Sequence, residues 1–160
     1  MTTSTDLLVE STAALADTYS HSLGGGVCSE EEPDAGLDLQ RMTDGGLLAV
    51  LNSNFEVVRQ AQALLVRAAG ELDDRFDHDS GIAARTGNRN AAAALTDIGH
   101  ISMAEAGRLV RVGKATKPRM SLIGEHLPPE YAEVARAVNA GELTVDSALY
   151  ITANLEQAAP

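Results

Sequence analysis

Tryptophan is absent from this 160-residue chain, and two phenylalanines and three tyrosines are its only aromatic side chains. Ala and Leu are abundant instead, and no β-branched run alternates apolar with polar. The composition therefore favours helices packed through small and medium side chains, and argues against a sheet protein. Cys28 is the only cysteine. It excludes an internal disulfide and a multi-cysteine zinc site, and it fits a reducing cytosol. No stretch of about 20 apolar residues occurs, and the N-terminus lacks the basic start and apolar run of an export signal. The expected protein is cytoplasmic with no membrane partner. Gly24-Gly25-Gly26 precedes no strand-to-helix element, and no histidine stands beside a nucleophile in sequence. Hence no cofactor and no intrinsic catalysis are expected.

What is present begins with Thr43 to Asp79. Alternating steps of three and four pick out Leu48, Leu51, Phe55, Val58, Gln62, Leu65, Ala69, Leu72 and Phe76, an apolar heptad seam with one polar member. A second stripe lies beside it at Leu47, Val50, Val57, Ala61, Leu64 and Ala68, so the apolar arc is wider than a two-helix seam needs. The pattern predicts one long helix over 44–78 in an all-α bundle, wrapped by four or five shorter helices from residues 89–157. Leu65 stands in the middle of the seam, and Leu65→Asp is expected to unfold the domain or abolish assembly.

Residues 1–41 form a separate acidic segment with a short helix over 6–19 and a flexible linker through 20–40, where glycines and Glu30, Glu31 and Glu32 cannot pack a core. Residues 42–160 form the helical domain. The net charge of −11 is uneven: fifteen acids and four bases lie in 1–80, eight of each in 81–160. Within 85–119, Arg85, Arg89, Arg108, Arg111, Lys114, Lys117 and Arg119 meet only Asp97 and Glu105. If the chain touches a polyanion such as DNA, this is the region that does so. The acidic tip at Glu71, Asp73, Asp74, Asp77, His78 and Asp79 opposes the helix dipole. Asp74 and His78 share a helix face there, but two ligands do not make a metal site, and none is assigned.

Gly81 and Gly87 bracket a turn before an Ala-rich helix over 89–98. Ser102 and Glu105 read as a capping box opening a helix to Thr116, with Arg108, Arg111 and Lys114 on one basic face. A short helix over 118–123, another from Glu130 and a last one capped by Thr144 complete the reading. The two helices flanking Gly99 are spaced like a helix-turn-helix, with a turn one residue too long at Gly99-His100-Ile101.

The run Ile101-Ser102-Met103-Ala104-Glu105-Ala106-Gly107-Arg108-Leu109-Val110, and more closely Ala137-Val138-Asn139-Ala140-Gly141-Glu142-Leu143-Thr144-Val145-Asp146-Ser147-Ala148, resemble the actinobacterial domain-of-unknown-function 222 family, also called the 13E12 repeat family. The similarity covers about Leu47 to Leu155. It implies a helical region of the kind that precedes an HNH endonuclease module. Two departures accompany it. Asn90 to Leu95 lacks the aromatic common there, and His21, His78, His100 and His126 lie too far apart for an HNH centre. No catalytic residue is carried over, and the chain reads either as the helical part of a truncated gene or as a stand-alone module.

Two functions follow as expectations. One is a non-catalytic, nucleic-acid-associated module contacting DNA through Arg85, Arg89, Arg108, Arg111, Lys114 and Lys117. The other is a protein-interaction or homo-oligomerisation module using the seam at Leu48, Leu51, Phe55, Val58, Gln62, Leu65, Leu72 and Phe76, with no DNA contact. In the second, the acidic tip and the basic region can also meet each other.

Overall fold

Thr43 sets the start of the long helix: its Oγ1 accepts from the Gly46 amide at 3.1 Å, holding the first turn despite two consecutive glycines. The computed structural model describes residues 3–22, 39, 42–78, 81–121 and 123–158. The helices are α1 (Ser4–Ser22), α2 (Asp44–Asp77), α3 (Ile82–Thr86), α4 (Ala91–Gly99), α5 (Met103–Thr116), α6 (Ala132–Asn139) and α7 (Val145–Ala158). A two-stranded hairpin, β1 (Arg119–Met120) and β2 (His126–Leu127), follows α5. The architecture is an all-α bundle built on one long helix, and α2 runs unbroken through Gly70. Most of the linker expected over 20–40 lies outside the described residues, as does Cys28.

The chain divides into two compact units, residues 1–60 and 61–160. The first holds α1 and the N-terminal part of α2. Thr3 and Asp6 cap α1 reciprocally: the Thr3 amide donates to Asp6 Oδ2 at 2.8 Å and the Asp6 amide to Thr3 Oγ1 at 3.2 Å. These bonds hold the Asp6 carboxyl below its usual range. This box is why α1 begins earlier than its apolar spacing suggested. Thr18 Oγ1 lies 3.1 Å from Ser53 Oγ and ties α1 to α2. On α2, Val50 and Gln60 are buried and Ser53 and Val57 half-buried. The occupied face therefore runs through Val50, Ser53, Val57 and Gln60 and shares only Val50 and Val57 with the second stripe, while Leu48, Leu51, Phe55 and Val58 of the heptad seam lie about 150° away around the helix at 100° per residue.

In the second unit, Val66, Ala69, Ala91, Leu109, Val110, Val112, Val134, Val138 and Ala148 form the core, with Leu72, Phe76, Leu95 and Leu149 packed against it. Helix α5 is central, touching α4, α6 and α7. It meets α2 at a glycine pair, where a Cβ on Gly113 would lie 2.5 Å from the Val66 carbonyl oxygen and one on Gly70 would lie 2.9 Å from the Gly113 backbone. Only glycine at both positions allows so close an approach.

Several expectations are corrected. The segment over 118–123 is no helix. The Lys117 amide closes α5 on the Gly113 carbonyl, and the next residue, Pro118, has no amide to donate. The chain then turns back, with the Ser121 amide donating to Glu125 O at 2.8 Å and Gly124 at φ 83°. Arg119 consequently pairs with Leu127, and Met120 with His126. This hairpin is a departure from the purely helical expectation, though it is confined to two residues a strand. The turn expected between Gly81 and Gly87 is the short helix α3. Leu65, expected to be central, is half exposed, whereas its neighbour Val66 is fully buried. The buried face of this part of α2 is Ala63, Val66, Ala69 and Gly70, because close helix contact selects small side chains over the larger seam residues.

Candidate nucleic-acid interface

Helix α4 starts at Asn90, whose side chain accepts from the Ala93 amide at 2.8 Å. It ends where His100 turns left-handed, at φ 51°, an uncommon conformation for a residue with a Cβ. Ser102 Oγ then accepts from the Glu105 amide at 3.1 Å and opens α5. Gly99 belongs to α4, so the connection is three residues, His100 to Ser102. That lies within the three to four residues of a helix-turn-helix connection, and it is shifted one residue along from the turn read at Gly99-His100-Ile101. Ala106, Leu109 and Val110 of α5 are buried, leaving Ala104 and Arg111 toward solvent.

The six cations expected to contact DNA divide into two groups. Arg108 Nε lies 3.0 Å from Asp146 Oδ1, Lys114 Nζ lies 2.8 Å from Asp73 Oδ2, and Lys117 pairs with Asp74. Asp73 Oδ2 is cut off from water, and Lys114 is its charge partner. The hydrogen bond to Asp73 raises the Lys114 pKa above its ordinary 10.5, against the opposing effect of burial. The acidic tip and the basic region thus meet within one chain. Arg85, Arg89 and Arg111 are exposed and form no ion pair among the described residues. Arg119 of β1 is also exposed, its Nε donating to the Pro128 carbonyl at 3.3 Å.

An open groove of about 460 Å³ is lined by Asp73, Asn90, Met103, Ala104, Gly107 and Arg111; Arg89 adjoins Asn90 in sequence but does not line it. Arg85 lies apart in sequence on α3. Asp73, in the groove wall, is offset by its pairing with Lys114. At the acidic tip, His78 Nδ1 lies 2.7 Å from the Asp74 carbonyl oxygen, and no group of three or more potential metal ligands occurs among the described residues.

The seam residues divide as well. Leu72 and Phe76 pack on the core and Gln62 is half-buried, whereas Leu48 is 66%, Leu51 45%, Phe55 59%, Val58 47% and Leu65 50% exposed. No described helix is long and apolar enough to cross a membrane. Compared with known proteins, the chain matches no protein-family model, no curated protein and no solved structure. The family resemblance accordingly rests on the residues quoted for it. Of the site features, the hairpin and the left-handed His100 escaped sequence reading; the only signals were Pro118 ahead of Gly124, and a histidine following Gly99.

Proposed function

We propose that the chain is a non-catalytic helical module that binds the phosphate backbone of a nucleic acid through its α4–turn–α5 pair. The observation that carries this reading is the exposed Arg111 in the wall of the groove beside a three-residue interhelical turn, with the exposed Arg89 next in sequence to the groove-lining Asn90 and no ion pair made by either among the described residues. Guanidinium groups in that setting suit phosphate oxygens. Phosphate contacts of this kind position a duplex without reading its sequence. The contact set is narrower than the basic face read from the sequence, because Arg108, Lys114 and Lys117 are held by acids of the same chain.

The test is duplex DNA binding by fluorescence anisotropy from about 20 to 200 mM salt. Affinity should fall with salt, and Arg89→Ala/Arg111→Ala should shallow the log–log slope by about 2. Lys114→Ala should leave the slope nearly unchanged. No binding at the lowest salt, or an unaltered slope in the double variant, overturns the reading. A second reading, a protein-interaction module without DNA contact, is favoured by the bare apolar face of α2.

A further inference from the structure

In the first unit, α1 meets α2 at Ser53, on the side where Val50 is buried and Val57 half-buried, and the heptad seam there is exposed among the described residues. Leu48, Leu51, Phe55 and Val58 recur at steps of three, four and three, each 45% exposed or more, with Leu47 beside them. Isolated exposed leucines need no explanation; four large apolar side chains on one helix face at coiled-coil spacing do. The face is also electrically blank. From Gly45 to Phe55 no residue carries a charge, and the first ones reached, Glu56 and Arg59, are paired with each other.

We propose that this face of α2 docks a second copy of the same chain, seam against seam. A charged partner finds no complement here, whereas a copy brings the same uncharged surface at the same spacing, the self-complementarity that a twofold interface requires. A chain of net charge −11 repels its own kind over most surfaces, so an uncharged patch is where two copies can approach. The five side chains offer on the order of 450 Å² per copy, so a pair closes about 900 Å² before flanking residues are counted, below the roughly 1,200 Å² of standard specific interfaces and in the range of weak, transient ones. An interface of that size fits a weak, reversible dimer.

Sedimentation velocity on the full chain from about 1 to 200 μM tests it. The mass should rise with concentration toward twice 16.7 kDa. Leu51→Glu/Phe55→Glu and Leu51→Lys/Phe55→Lys should each remain monomeric with unchanged helical circular dichroism, since both positions face water. Mixed in equal amounts, they should dimerise again, because opposite charges then meet across the seam. If either charged variant unfolds, Leu51→Gln/Phe55→Gln replaces both and should weaken dimerisation at least tenfold. A wild type that stays monomeric to 200 μM overturns the proposal. So does a dimer that survives the charged or Gln substitutions, or a charge-swapped mixture that stays monomeric while the wild type pairs.

Discussion

Two glycines on α5 have opposite roles. At Gly113 an alanine methyl would press on the Val66 carbonyl and on the Gly70 amide nitrogen 2.6 Å away, both backbone atoms of α2 that no rotamer change can move. Gly113→Ala should therefore cost about 2–3 kcal/mol, the upper part of the overpacking range. At Gly107 a methyl meets nothing within 4 Å, so Gly107→Ala should add about 0.5–1 kcal/mol through helix propensity alone. Urea-denaturation midpoints measure both; a tolerated Gly113→Ala would mean the helices are free to separate. Both residues look alike in sequence, a glycine inside an apolar-periodic helix. What distinguishes them is the carbonyl of another helix, which local spacing cannot report.

Among elements, α5 is joined to α2 by charge as well as by contact, through Lys114 and Asp73. Because the bond to Asp73 raises the Lys114 pKa, the protonated form stabilises the fold. That contribution is fully present below pH 10.5, the unperturbed value, and is lost as pH rises through the raised one. Lys114 is half exposed, so solvent screening keeps the contribution below about 1 kcal/mol. Thermal unfolding of wild type and Lys114→Gln should differ by a constant amount from about pH 7 to 10, and the two should converge above that window. A gap that persists at pH 12 would assign the effect to packing of the lysine stem. The helices themselves were largely legible: the heptad spacing located α2 to within a residue, and Ser102 located α5. Which face of α2 is buried was not legible, because Ala63 and Val66 belong to neither apolar stripe and Ala69 to the seam, and burial goes to small residues that a close neighbour can reach, which apolar spacing does not report. Ala63, Val66 and Ala69 won over Leu65 for that reason. The hairpin was missed because its turn depends on Gly124 and on bonds between Ser121 and Glu125, while the flanking residues carry no alternating pattern.

For the whole molecule, the net charge of −11 separates the two proposed associations by sign. Nucleic-acid binding releases counterions and must weaken as salt rises, whereas pairing of two acidic copies is opposed by repulsion that salt screens. Between about 20 and 200 mM salt, the dimer should therefore tighten over the same range in which DNA affinity falls. Sedimentation equilibrium across that range checks it, and a dimer that dissociates with added salt would point to an ion-paired interface instead of the uncharged face of α2. The glycine contact between α2 and α5 also bears on descent. Buried alanines can drift to serine or valine in step with their neighbours, but a methyl aimed at another helix's backbone has no compensating change elsewhere in the chain. In any lineage keeping this crossing, Gly70 and Gly113 are the two positions where drift stops, and ancestry would survive there as a fixed interval between two glycines long after the composition around them had changed.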